Sequence, residues 1–426
     1  MQPNRFSRIS IIGLGYIGLP TAAMFASRKI KVVGVDVNQS TVDTINRGEI
    51  HIVEPDLDMV VHAAVSQGYL LATTEPEPAE AFLIAVPTPF KGDNHDPDLK
   101  YIEAACKSIA PVLAAGNLVV LESTSPVGAT DAMAGWLAAA RPDLTFPQQA
   151  GELSDIRIAH CPERVLPGKV MQELITNDRV IGGMTPRCSA LAAELYSSFV
   201  SGECFTASSP RVAEMAKLTE NSYRDVNIAF ANELSIICDR LDINVWELIR
   251  LANRHPRVNV LQPGAGVGGH CIACDPWFIV SSAPQDAKLI RTAREVNDSK
   301  PHWVIAKVQA EIAAFLKADG KKSPADVTVA FYGIAFKPDI DDLRDSPALE
   351  IVQILSTSHA GKVLVVEPNI EVLPASLLNA ELVSMLDAAE ADMHVLLVDH
   401  KYFRALKPNT TAPIIDTRGI WTTAKT

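Results

Sequence analysis

A chain of 426 residues exceeds what one ordinary hydrophobic core supports, so two or three domains are expected. With 48% hydrophobic and 21% charged residues the composition is that of a well-packed soluble protein, and a formal net charge of -12 excludes a general affinity for nucleic acid or anionic membrane. A local basic site for an anionic metabolite stays open. Seven cysteines, an odd number scattered from Cys106 to Cys274, do not form the dense framework of a small secreted domain and point to a reducing cytoplasm.

The apolar stretch SIIGLGYIGLPTAAMFAS at residues 10–27, preceded by Arg5 and Arg8, superficially resembles a signal peptide or membrane span. Its glycines and proline fit another reading. From Arg8 to Asp36 the chain runs as strand, G-x-G-x-x-G turn at Gly13, Gly15 and Gly18, small-residue helix, and a second strand ending in an acid. The first glycine permits the tight turn, the second lets backbone approach a pyrophosphate at the helix N-terminus, and the third allows close helix packing. Asp36 is placed to hold adenosine ribose hydroxyls, which favours NAD over NADP because a 2'-phosphate would be repelled.

Further strands at 81–90 (AFLIAVPTPF) and 118–128 (LVVLESTSPVG), separated by a helical pattern at 99–114, predict a parallel, doubly wound sheet. Both end in Thr, Ser and Pro where such sheets bind ligands, so Thr88 and Thr124 are candidate hydroxyls, with ordinary turn residues as the competing reading. The pattern then changes to a long helix over 208–241, with Ser209 as N-cap and Pro210 as its first residue. Such a helix suits a linker and dimerisation element. On it Lys217, Asn221 and Arg224 share one face. A solvated stripe is the usual reading, but the flanking Ala, Leu, Ile and Phe favour a buried or ligand-facing role.

GAGVGGHCIACDP, at 264–276, sets two cysteines three apart. A zinc site needs two more ligands, and neither a second C-x-x-C nor an H-x-x-x-H occurs in the chain, so no metal is expected. A redox C-x-x-C usually opens a helix in a thioredoxin-like context, whereas this one follows a glycine run. A single nucleophile has definite chemistry in a dinucleotide-binding chain: aldehyde capture as a thiohemiacetal, a second hydride loss to a thioester, and hydrolysis to a carboxylate. Asp275 is then placed to orient or activate water. Residue types alone do not say which sulfur acts.

After a link at 316–326, the alternation resumes over 327–426. Strands are expected at VTVAFYGIAF, KVLVVEP, MHVLLVD and APIIDT, with helices at SPALEIVQILSTS and near 381–391. This second, smaller α/β sheet lacks the G-x-G-x-x-G turn, so it binds something other than a second dinucleotide in the same manner. Its polar turn FKPDIDDLRDSP (336–347) stands where such sheets hold anions, with Lys337 and Arg344 supplying positive charge.

The motifs GLGYIGLP, AVPTPF, LESTSPVG, CPERVLPG, AEMAKLTENSYRDVNIAFANEL, GVGGHCIACDP and GIAFKPDIDDLRDSP together resemble the UDP-glucose/GDP-mannose dehydrogenase family, in the family's order over nearly the whole chain. The resemblance implies an α/β fold: two Rossmann-like doubly wound parallel-sheet domains joined by a long-helix central dimerisation domain. The expected division is an NAD-binding domain at 1–206, a central helical and catalytic domain at 207–315, and a UDP-sugar-binding domain at 316–426. The implied reaction is oxidation of a nucleotide-sugar C6 alcohol to a carboxylate with two NAD.

Within the family, UDP-glucose members typically carry G-G-x-C-x-P-K-D. This chain's GGHCIACDPWF, with TPFKGD, RGEIHIVEPDL, NVWELIRLANRHPRVNVLQPG and LIRTAREVNDSKP, is similar to members acting on UDP-N-acetyl-D-mannosamine for surface polysaccharides such as enterobacterial common antigen. By this resemblance Cys271 is the nucleophile. Lys217 and Asn221 act at the reacting oxygen, and Glu163, Thr124 and Asp275 handle the hydrolytic water. Arg164, Val165, Arg224, His255, Arg257, Gly268, Lys337 and Arg418, with Lys217 and Asn221, hold the UDP-sugar, some across a homodimer. Gly13, Gly15, Tyr16, Ile17, Gly18, Asp36, Thr88, Thr124 and Arg344 meet NAD. Cys274 and Ala265 stand where an aliphatic residue and a proline are usual; neither departure removes a functional group. The alternatives are the same chemistry on UDP-N-acetylglucosamine or UDP-glucose, or an NAD-binding redox sensor in which Cys271 and Cys274 form a reversible disulfide.

Overall fold

The structure, a computed structural model, describes residues 5–92, 95–166, 168–269, 272–318, 320, 322–408 and 411–421. The chain divides into two compact units, Met1–Glu220 with Trp277–Ala283, and Asn221–Pro276 with Pro284–Thr426.

The first unit is built on eight strands: β1 (Arg8–Ile12), β2 (Lys31–Val35), β3 (Leu70–Thr73), β4 (Ala81–Ile84), β5 (Leu118–Leu121), β6 (Arg157–His160), β7 (Arg179–Gly183) and β8 (Cys204–Ala207). They lie in the order β8-β7-β6-β5-β4-β1-β2-β3. The order reverses between β1 and β4, the position at which doubly wound sheets open a ligand crevice. AFLI and LVVL are buried along their whole length, as expected of strands covered on both faces. Ile11 and Leu83 enter one core with Phe25 and Tyr196, while Ile12 and Ile84 enter the opposite one with Ile102 and Met133. One feature departs from the expected parallel sheet: β7 runs antiparallel to β6, pairing Gly182 with His160. Residues 10–27 resolve into the end of β1, the glycine turn and helix α1 (Gly18–Ser27), ten residues long. No helix among the described residues is long and apolar enough to cross a membrane.

Helix α2 (Pro210–Arg240) begins where the sequence predicts, with Ser209 Oγ accepting the Val212 N–H, and the division between units falls within it. In the second unit it is tied to α3 (Lys288–Ala318), a 31-residue helix that continues through Pro301. Arg294 Nη1 and Asn297 Nδ2 both donate to Asp225 Oδ1, at 2.6 and 2.8 Å. Asn232 donates to Asn297 and accepts the Gly264 N–H, at 2.9 Å each, so the network reaches the glycine run.

The second sheet comprises β9 (Val329–Tyr332), β10 (Val363–Val366), β11 (Ala380–Leu382), β12 (Met393–Leu396) and β13 (Ile414–Asp416), all parallel, in the order β11-β10-β9-β12-β13. Helix α4 (Pro347–Ser358) follows β9, with Ser346 as N-cap. The helix expected near 381–391 is instead β11 followed by a short 3-10 turn at Asp387–Glu390. Pairing of Ala380–Leu382 with Val363–Val365 extends the ladder, and Asp387 Oδ2 accepts the Ser384 hydroxyl at 2.6 Å, so edge pairing overrides a helix-like apolar spacing.

Arg294 is 1% and Asp225 0% exposed, so removing the Asp225 carboxylate leaves the buried guanidinium to its exposed partner Asp298. Asp225→Ala is expected to destabilise the second unit by about 1–3 kcal/mol, the cost of lost buried hydrogen bonds with Asp298 still paired to Arg294. Denaturant unfolding followed by circular dichroism measures the loss.

Candidate active site

At the end of β1, Gly13 takes φ +93°, and an added Cβ there would lie 2.6 Å from the Ala85 carbonyl oxygen; on Gly18 it would lie 1.8 Å from the Gly13 oxygen. A Cβ on Gly15 would meet nothing within 4 Å. Internal packing therefore accounts for the outer glycines. The middle one leaves open space at the amino end of α1, where helix N–H groups favour a phosphate. The Asp36 carboxylate is pinned at the end of β2 by the Leu14 N–H (3.0 Å) and the Asn38 N–H (2.9 Å). Turn, helix end and strand-end acid together fit NAD. Tyr16 is exposed and Ile17 half-buried at the same turn. Thr88 Oγ1 donates to the Thr124 carbonyl at 2.5 Å, joining the two loops that follow β4 and β5.

Glu163 follows β6 and is buried. Its Oε2 pairs with Arg179 and its Oε1 accepts the Arg164 N–H at 2.6 Å. Arg179 is available because β7 runs against β6, so its first residue arrives where β6 ends. The guanidinium also lies 5.2 Å from the Tyr196 ring centre. Arg164 is held by Glu220 at 2.6 Å and the Asp178 carbonyl at 3.3 Å, and Val165 packs half-buried against the core.

Behind this pair stands Glu122, whose Oε1 accepts the Tyr196 hydroxyl at 2.7 Å. Burial and then the Glu163 charge push Glu122 up to about 7, against the pull of Tyr196 and Arg179. Glu122, Arg179 and Tyr196 were not among the sequence candidates. The available signal was a charged residue abutting an apolar strand, in LVVLE and RVIGG.

Lys217 and Asn221, one turn apart on α2, are 8% and 7% exposed; Arg224, expected on the same face, is exposed. In the second unit Asn221 Nδ2 donates to Asp275, which is 2% exposed and opens the helix Asp275–Ser282. Cys271 lies outside the described residues, and Cys274 is half-buried. Arg418 is oriented by Asp399 Oδ1 (2.7 Å) and donates to the Pro263 carbonyl (3.2 Å), which brings it to the glycine run. Gly268 on that run and Lys337 are half-buried. Arg344 is exposed and gripped by Asp342 at 2.8 and 2.6 Å. His255 and Arg257 also have exposed side chains. Asp399 and Asp342 are further residues that sequence reasoning did not single out.

Burial of Glu122 makes the stability of the fold depend on pH. Between pH 4.5, its ordinary value, and about 7, the unfolded chain is ionised at this position while the folded one holds the proton. Its contribution to stability is present below pH 4.5, falls as pH rises through about 7, and is constant above. Glu122→Gln is expected to remove roughly 3 kcal/mol of this decline. Thermal unfolding of both proteins across that pH range supplies the comparison.

Residues 7–200 match the UDP-glucose/GDP-mannose dehydrogenase family, NAD binding domain; 211–299 match its central domain and 330–423 its UDP binding domain. The chain is 66% identical over 422 residues, 98% of its length and 99% of the relative's, to UDP-N-acetyl-D-mannosamine dehydrogenase of Yersinia pestis. It is 64% identical over 419 residues, 98% of its length and 96% of the relative's, to NDP-N-acetyl-D-galactosaminuronic acid dehydrogenase of Ralstonia nicotianae. The solved UDP-D-ManNAc dehydrogenase of Pyrococcus horikoshii shares the fold with a TM-score of 0.85 at 39% identity, covering 98% of this chain and 96% of that one. With a glycine turn open at Gly15, an acid closing β2 and all three domain matches in order, the chain belongs to the UDP-glucose/GDP-mannose dehydrogenase family and is an NAD-dependent UDP-sugar dehydrogenase.

Proposed function

We propose that this protein oxidises the C6 alcohol of UDP-N-acetyl-D-mannosamine to the carboxylate in a four-electron reaction with Cys271 as covalent nucleophile. The observation that carries the substrate is 63–66% identity, over 98% of this chain, to enterobacterial relatives bearing that activity's name. NAD supplies the hydride acceptor, two molecules per sugar.

The chain's own residues do the rest. Lys217 and Asn221 donate to the reacting oxygen and stabilise negative charge on it. The Cys271 thiolate adds to the aldehyde carbon, forming a C–S bond; the oxidised adduct is a thioester. Asp275, held by Asn221, acts with Glu163 and Thr124 to orient water and take its proton. Water oxygen bonds to the thioester carbon, the C–S bond breaks, and Cys271 leaves as thiolate. Arg164, Val165, Arg224, His255, Arg257, Gly268, Lys337 and Arg418 hold the nucleotide sugar, and Arg344 reaches NAD.

The relatives named for mannosamine and galactosaminuronic acid have an N-acetylated sugar in common, which favours an acetamido sugar over UDP-glucose. The same reading divides the chain by role into 1–206, 207–315 and 316–426, and places it in the cytoplasm, feeding surface polysaccharide such as enterobacterial common antigen. It also makes the protein a homodimer. Tyr223, Phe230 and Ile237 fall seven apart on α2 and are 69%, 54% and 43% exposed, an apolar stripe suited to a second copy of that helix.

Counting NADH per sugar over a panel of UDP-hexoses and UDP-N-acetylhexosamines is expected to give two for UDP-N-acetyl-D-mannosamine. One NADH would point to an aldehyde product, and none with any sugar would favour a redox sensor. Cys271→Ser is expected to stop turnover while UDP-sugar and NAD binding, measured by calorimetry, persist. Cys274→Val is expected to be nearly silent; a loss matching that of Cys271→Ser would restore the redox pair. Light scattering is expected to give a dimer mass, reduced to a monomer mass by Tyr223→Glu with Phe230→Glu.

A further inference from the structure

Asp36 and Glu367 occupy the same place in two βαβ units, each closing the second strand. Their uses differ. Asp36 is part-exposed at the glycine turn, whereas the Glu367 side chain is 0% exposed. Glu367 Oε2 accepts the Ile334 N–H (2.8 Å), the Ala335 N–H (3.2 Å) and His400 Nε2 (3.1 Å). Its Oε1 accepts both the backbone N–H and the side-chain amide of Asn369, at 3.2 and 3.0 Å. A carboxylate so occupied by its own chain is a joint in the fold.

The other ring nitrogen of His400 carries the connection onward. Nδ1 accepts the backbone N–H of Asp339 at 2.9 Å. A backbone amide can only donate, so this bond requires the neutral tautomer with its proton on Nε2, facing Glu367. Asp339 lies two residues beyond Lys337 in the turn after β9, and its φ of +62° is in the left-handed region, which aspartate enters more readily than most side chains. Its Oδ1 accepts the Lys401 N–H at 2.8 Å, closing a second link to the His400 segment.

The same turn is the seat of the glycine run. An added Cβ on Gly268 would lie 2.3 Å from the Asp345 carbonyl and 2.6 Å from Pro347 Cδ; on Gly269, at φ +82°, it would lie 2.8 Å from the Phe336 ring. The Gly269 N–H donates to the Asp345 carbonyl at 3.3 Å. The glycines ahead of Cys271 are therefore explained by the close approach of the turn 336–347.

We propose that His400 is a positioning residue that couples the UDP-sugar turn to the nucleophile. Glu367 fixes its tautomer, its Nδ1 fixes the turn carrying Phe336 and Lys337, and that turn seats the glycine run leading to Cys271. The inference rests on the reading of Lys337 as a sugar-nucleotide ligand and Cys271 as the nucleophile.

Two replacements separate the two nitrogens. His400→Asn retains an acceptor near Nδ1, and His400→Gln retains a donor near Nε2. His400→Gln is expected to raise KM for the UDP-sugar and to change the rate of Cys271 alkylation by iodoacetamide, each by roughly 5- to 10-fold, the worth of one hydrogen bond. His400→Asn is expected to stay within about 2-fold on both. A purely structural role predicts similar losses of melting temperature in both variants and equal KM and alkylation rates; that result overturns the proposal. Should neither variant fold, Phe336→Ala reads the same link from its far end: it changes the alkylation rate if the turn seats the nucleophile, and an unchanged rate overturns the proposal. Lys337→Ala and Cys271→Ser test the underlying reading separately. An unchanged KM in the first, or retained turnover in the second, removes that reading while the alkylation comparison still judges His400.

Discussion

Strands that run parallel can be joined only by crossovers, so each ends at the same edge of its sheet. That constraint gathers the chemistry of this chain. In the first unit Gly13 follows β1, Asp36 follows β2, Thr88 follows β4, Thr124 follows β5 and Glu163 follows β6. In the second, Lys337 follows β9, Glu367 follows β10, His400 follows β12 and Arg418 follows β13. The antiparallel β7 is the informative exception. Running the other way, as its parallel partner β8 also does, it delivers Arg179 by its beginning to the edge that β6 reaches with its end.

Residues delivered to a shared edge must still be held still, and here buried partners do so. Glu163 is fixed by Arg179, Asp275 by Asn221, Arg418 by Asp399, and Glu367 by His400. A buried charge without a partner is costly, so each pair is strongly constrained in position. Under the proposed function, side chains held in this way present their dipoles without rearranging at the moment of reaction.

The strand-turn-helix-strand from Arg8 to Asp36, the long helix from Pro210 and most of the second sheet were legible in the sequence. Their signals are local: glycine spacing, strand-length apolar runs, and Ser209-Pro210 as a helix start. Thr88 and Thr124 were legible as strand-end hydroxyls, although nothing local indicated that one donates to the other's carbonyl. Glu122, Arg179 and His400 were not legible. Each draws its meaning from another residue 16 to 74 positions away, which a single sequence does not reveal. The segment near 381–391 misleads for a related reason, because pairing with β10 decides its conformation. Proline ordinarily kinks or breaks a helix interior, yet α3 runs through Pro301.

The apolar stripe on α2 has a thermodynamic consequence. Tyr223, Phe230 and Ile237 expose surface whose transfer out of water is favourable by about 25 cal/mol per Å². In the proposed dimer a second copy would cover it, folding and assembly would be linked equilibria, and dilution would lower apparent stability by mass action. The helix that carries Lys217 and Asn221 would then owe part of its rigidity to protein concentration, and activity would fall on dilution faster than the number of enzyme molecules.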